Sequence, residues 1–315
     1  IAGVSTVSSS AFMIMPSGDT AIRGAGSGRA VVVLGATPSV VTTMDYFDTA
    51  STGNAVDFGD ARTARYQNGH GGMASGTRGV FQGGSSPSSN IIEYVTISSG
   101  GGAADFGDHH RGITNNNGQC ANGTRGLLAG GYLAPVFFST IDFITIATTG
   151  STSEYGEFDD GSTGGYSPMA SPTRAVFARA GQGINYINFT TGGKTQVFGD
   201  MRGDSRSGHV ASCSNSTRGL MLGGEAPSRV NTITYITINT LGNGIDFGDL
   251  IAVRNDHDAV ASQTRGFVVA GSTGSTTNII DFVTIATTGN ASDFGDLTQA
   301  RTQPLAFSDV HGGLG

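Results

Sequence analysis

The sequence predicts an all-β fold, a β-propeller of six blades with four antiparallel strands each, and three observations predict it. The tetrapeptide DFGD recurs at Asp57, Asp105, Asp246 and Asp293, with VFGD at Val197 and EYGE at Glu154. The glycines at its third position, Gly59, Gly107, Gly156, Gly199, Gly248 and Gly295, stand 48, 49, 43, 49 and 47 residues apart, a period of one propeller blade. The composition agrees: 51 glycines in 315 residues, abundant Ser and Thr, no Trp and 13% charged residues suit short strands joined by many turns.

Each strand of the repeat has its own signal. TRG at Thr77, Thr124, Thr217 and Thr264, TRA at Thr173 and GRA at Gly28 open apolar runs such as TRGVFQGG and TRGLLAGG. Alternating runs follow, NIIEYVTI, TIDFITI, TITYITI and NIIDFVTI, in which every second residue can face a core. DFGD is the third strand, and the segment leading to the next TRG is the fourth. Six such units account for residues 28–315 as one propeller domain and leave 1–27 as an N-terminal extension or partial strand. Because the first unit starts mid-blade at GRAVVVLG, a C-terminal strand from about Thr302 to His311 is expected to complete that blade, closing the ring by joining both chain ends. Seven blades is the alternative, with 1–27 supplying a degenerate one.

DFG is also the magnesium-holding signature of protein kinases, which need a glycine-rich loop, a strand lysine and a catalytic loop beside it. This chain has one lysine, Lys194, and repeats the motif, so DFGD reads as architecture. Its Phe is expected to pack between sheets, its Gly to permit a tight strand end and its second Asp to pair with a repeat arginine. A net charge of −7 with no basic run argues against a nucleic-acid partner. No stretch approaches the roughly 20 apolar residues of a membrane span. The chain opens on Ile1, so it reads as processed or as part of something longer.

The candidate residues divide into repeat-wide and unit-specific sets. Arg78, Arg125, Arg218 and Arg265, with Asp108, Asp249 and Asp296, are expected to form structural Arg–carboxylate pairs within or between blades. Cys120 and Cys213 occupy one repeat position in units two apart, beyond the ~7 Å reach of a disulfide, and read as small buried hydrophobes. His70, His209 and His257 also share nearly one repeat position. They read as structural histidines, since a metal site needs several converging ligands. No cofactor or metal is expected. The acidic stretch EYGEFDDGSTGGY makes Glu157, Asp159 and Asp160 a calcium candidate, against a solvated turn as the competing reading. Where other units have polar loops such as SSPSSN, one has YLAPVFFST, so Leu133, Val136, Phe137 and Phe138 are expected to be an exposed contact for a protein partner.

The order of signals, Gly-Gly after an apolar strand, an aromatic strand, then Arg and His as in RSGH at Arg206 and RNDH at Arg254, resembles kelch repeats, with Phe of DFGD in place of their Trp. The tandem form TRG-apolar-GG, IxYITI and DFGDL with a following Arg resembles, over almost the whole chain, propeller proteins encoded by marine bacteriophages. That resemblance implies a non-enzymatic virion protein of a tail fibre or other appendage, serving assembly or adhesion. Its partners would be other virion proteins, a host-surface glycan or protein, and further copies of itself. A cellular or secreted lectin-like or scaffold propeller is the alternative. An enzyme comes third: neither a converging Tyr, Cys and His set nor an Arg triad with Trp-ended Asp-box turns can be assembled.

Overall fold

The computed structural model describes residues 28–310 apart from 67–68, 86–88, 113–116, 160, 162–163, 180–182, 203–208 and 226. The expected extension at 1–27 lies outside the described residues. The β-rich runs form six antiparallel four-stranded sheets arranged as a propeller, and the described residues contain no helix. One blade carries a fifth short strand at its outer edge.

From the axis outward, blade 1 consists of Leu305–Ser308, Arg29–Val33, Thr43–Asp48 and Val56–Asp60. Blade 2 has Met73–Ala74, Arg78–Gln82, Ile91–Thr96 and Ala104–Asp108. Blade 3 has Gly118–Ala121, Arg125–Ala129, Thr140–Thr145 and Ser153–Glu157, with Gly193–Lys194 added in parallel. Blades 4 and 5 repeat the order around Arg174–Arg179 and Arg218–Leu222. Blade 6 has Asp258–Ala261, Arg265–Val269, Ile279–Thr284 and Ser292–Asp296. The segment leading to each TRG is therefore the inner strand of the following blade. Ring closure is as expected, with Val31 opposite Phe307.

The DFGD motif is a β-bulge. In blade 1 Met44 faces Gly59 while Asp45 faces Asp57, so Phe58 is the extra residue on the outer strand. The same shift recurs in the other five blades. The bulged Phe turns inward, and Phe58, Phe106, Phe247 and Phe294 are all buried. Phe58 meets Tyr46 edge-on at 6.0 Å and Phe247 meets Tyr235 at 6.0 Å, a geometry worth about 0.5–1.5 kcal/mol beyond burial.

The motif's glycine answers to the next blade and not to a tight strand end. The Gly101 N–H donates to the Phe58 carbonyl (2.7 Å) and the Ala103 N–H to the Asp60 carbonyl (2.9 Å), which draws the two backbones together. A methyl group on Gly59 would lie 2.6 Å from the Gly101 carbonyl oxygen. Between blades 6 and 1 the same pair of bonds runs from Gly53 to Phe294 (3.0 Å) and from Ala55 to Asp296 (2.8 Å). DFGD is thus the seam between blades, and the core lies there too: Phe294 and Phe267 of blade 6 pack with Val32 and Phe47 of blade 1.

Strand alternation gives the ring two faces. Turns joining first to second and third to fourth strands share the lower face. Hairpins joining second to third strands share the upper face with the segments connecting successive blades.

Candidate functional site

The repeat-wide arginines are rivets between blades, not partners of the DFGD aspartates. Arg78 donates to the Ile146 carbonyl of blade 3 (2.9 Å), Arg125 to Phe189, Arg218 to Ile285 and Ala286 (2.9 Å each), and Arg265 to Thr49 and Ala50. Each guanidinium also lies over a third-strand ring of its own blade, 4.2 Å above Tyr94 for Arg78 and 4.7 Å above Tyr235 for Arg218. None of these four forms an ion pair with Asp108, Asp249 or Asp296 among the described residues. Two of those aspartates serve through their backbone: the Asp249 N–H donates to Asn290 and the Asp296 N–H to Asn54, both side chains of the next blade. Because the seam already brings the backbones together, the carbonyls ending the next blade's third strand lie nearest the arginine fork.

The Arg–carboxylate pair does exist, on a different arginine. The third position of the third strand, beside the bulge, holds a fully buried acid in blades 1, 2, 3 and 6: Asp45, Glu93, Asp142 and Asp281. Arg301 pairs with Asp45, Arg65 with Glu93 (2.5 Å) and Arg254 with Asp281 (2.9 Å). Each arginine stands five residues after the last Asp of DFGD. Burial lowers all three guanidinium pKa values, and the facing carboxylate opposes this. Asn185 and Thr234 fill the position in blades 4 and 5.

Blade 3 departs from this pattern. His109 Nε2 lies 3.1 Å from Asp142 Oδ2, and Arg111 Nε lies 3.6 Å from the same oxygen. Arg111 also reaches Glu154 at 2.6 Å. His110 is exposed, stacks parallel to His109 with ring centroids 5.7 Å apart, and shares a 2.8 Å hydrogen bond between Nδ1 and Thr152 Oγ1. Among the described residues His109, His110 and Asp142 form a group whose candidate ligand atoms all lie within 4.8 Å of one another.

Next to this cluster stands the apolar hairpin. Tyr132–Leu133 and Val136–Phe137 pair across the turn, and the Tyr132 and Phe137 rings sit 4.7 Å apart. Leu133, Val136 and Phe137 are 38%, 50% and 42% exposed. Phe138 is the exception among the four expected contact residues. It is half-buried, and its N–H bonds back to Gly131 at 2.9 Å. The hairpin leans on the His109–Arg111 turn, since a methyl group at Gly112 would lie 3.9 Å from Leu133 Cδ2.

The remaining candidates have local roles. Lys194 Nζ sits 3.4 Å from Glu157 and 3.5 Å from Asp159, so two of the three calcium candidates face the chain's own ammonium. Asp160 lies outside the described residues. Cys120 and Cys213 are free and buried, and burial pushes both thiols up. His257 Nε2 meets the Leu222 carbonyl at 3.0 Å, and burial first, then the Arg254 charge, pushes its pKa down to about 3. His209 Nδ1 lies 2.8 Å from Asp256, whose hydrogen bond raises the imidazole pKa. His70 is buried with Nδ1 3.7 Å from Asp258, which accepts backbone N–H groups from Gly71 and Ala306. On the axis the inner strands line an open cavity of about 50 Å³, with Cys120, Cys213, Val260 and Phe307 among its walls, room for a few waters.

Compared with known proteins, the chain matches no family model and no curated sequence. The buried acids and their arginines escape a reading of repeats by strand alternation, because both faces of each third strand are covered by neighbouring blades and consecutive positions such as Met44 and Asp45 are both buried. Their signal is a charge inside an apolar run, paired with an Arg at a fixed distance after DFGD.

Proposed function

We propose that the chain is a non-enzymatic propeller that acts by binding, as part of a bacteriophage tail fibre or other virion appendage, in assembly or in adhesion to a host-surface glycan or protein. The propeller fold suits a binding or scaffold role. Function still has to rest on a site, and the observation that carries this reading is the blade 3 hairpin. Its Leu133, Val136 and Phe137 are exposed on the upper face, where the corresponding hairpin of blade 6 carries Ser, Thr and Gly. A rigid scaffold presenting an apolar patch is built for contact. The axial cavity, by contrast, is of water size. The virion setting rests on the likeness of the tandem repeats.

Two measurements test it. Val136→Ser with Phe137→Ser should leave thermal unfolding nearly unchanged, because both side chains are exposed, while incorporation into particles or retention of the partner falls. Normal assembly by the double variant would refute the contact role. Microscopy of labelled intact particles should place the chain at an appendage, and its absence from particles would overturn the virion setting.

A further inference from the structure

We propose that His109, His110 and Asp142 form a binding site for a divalent transition metal of the zinc class on the upper face of blade 3. The argument starts from a buried charge. Asp142 is fully buried, and its carboxylate faces only His109 Nε2 at 3.1 Å and Arg111 Nε at 3.6 Å, neither in good hydrogen-bond geometry; His109 is itself 1% exposed. Buried polar groups in this condition require an explanation. Blades 1, 2 and 6 meet the same acid with an arginine that is itself buried and cannot act as a metal ligand. Blade 3 alone among these offers imidazoles, the common nitrogen ligands of zinc-class metals.

The geometry suits the ion. Zinc-class bonds of about 2.0–2.2 Å place neighbouring ligand atoms about 3.3 Å apart in a tetrahedral shell, and His109 Nε2 and Asp142 Oδ2 already stand at 3.1 Å. The His110 nitrogen lies within 4.8 Å of both. Its ring is exposed, so a side-chain rotation closes the remaining gap. At least one coordination position stays open to water or to a partner's side chain.

Two local features oppose the ion. The Arg111 N–H donates to His109 Nδ1 at 3.3 Å, and that bond is lost when a metal on Nε2 moves the ring proton to Nδ1. The Arg111 guanidinium, 27% exposed, must shift from Asp142 toward its second partner, Glu154. Both changes are confined to the turn after Asp108. The site does not depend on the binding role proposed above.

Calorimetry with Zn²⁺ and absorption spectroscopy with Co²⁺ on the purified chain test the proposal. The wild type should bind one equivalent, show a tetrahedral-type Co²⁺ spectrum and unfold at a higher temperature with Zn²⁺. His110→Ala, at an exposed position, keeps the fold and should weaken binding roughly 10- to 100-fold. Asp142→Asn should abolish it, and Asn185 at the same position of blade 4 shows that this side chain fits the fold. Absence of Zn²⁺ binding by the wild type, or equal affinity in His110→Ala, would overturn the site.

Discussion

Blades 3 and 6 place the same kind of residue, Asp142 and Asp281, at the same buried point and answer it differently. In blade 6 the answer is Arg254, whose side chain is 1% exposed and whose guanidinium meets Asp281 at 2.9 Å. In blade 3 it is His109 with the partly exposed Arg111. The first closes the site with a charge that proteins do not titrate. The second leaves an imidazole against the acid, beside an exposed apolar hairpin. The repeat therefore fixes where a buried charge sits, and the individual blade decides whether that charge is locked or available.

The largest expected effect breaks this contrast directly. Asp281→Asn strands the buried guanidinium of Arg254 and should cost about 3–5 kcal/mol. Asp142→Asn should cost only about 1 kcal/mol, because the amide oxygen can still face His109 Nε2 and Arg111 keeps Glu154. Equal losses in chemical denaturation would erase the distinction. Next come the seams, which should not distinguish the two blades. Gly156→Ala places a methyl 2.0 Å from the Gly193 carbonyl oxygen, and Gly295→Ala places one 2.4 Å from that of Gly53. Both should lose about 2–4 kcal/mol, and a tolerated alanine at either seam would count against the rim contact.

A third expectation concerns acid. His257 at the entry to blade 6 is held neutral, with its folded pKa pushed down to about 3 and its unfolded value near 6.5. Its contribution to stability is complete above about pH 6.5 and is lost as the pH falls toward 3. Val210 precedes the inner strand of blade 5 in the same way, so His257→Val should fold and show a shallower loss over this range. An unchanged slope in a pH series of unfolding curves would assign the acid sensitivity elsewhere. The smallest effect belongs to the rivets. Arg125→Ala in blade 3 and Arg265→Ala in blade 6 should each cost about 1–2 kcal/mol, and a thermal shift confined to one of them would show that the rivet is not a repeat-wide device.

Much of the fold is legible in the sequence because repetition multiplies weak local signals. DFGD, TRG and the alternating runs mark strands, their spacing counts blades, and the late start of the first unit points to closure by the C-terminal strand. The pairing of side chains is less legible. An arginine and an aspartate that recur once per blade suggest a pair, yet which arginine meets which acid depends on the bulge at Phe58 and its equivalents and on the seam that sets neighbouring backbones side by side. The exposed character of Leu133, Val136 and Phe137 follows from a loop that is apolar where others are polar. The cluster of His109, His110 and Asp142 does not, because it forms only when a turn after one outer strand folds over the third strand of the next blade.

The closing strand Leu305–Ser308 has a consequence for synthesis. It sits innermost in blade 1 but follows every other described strand in the chain. Until the ribosome has released it, Val31 and Val33 lack the neighbours Phe307 and Leu305, and Asp45 lacks Arg301. Five blades can form in order as they emerge, but the first must wait, an unfinished sheet with an open inner edge, for the last.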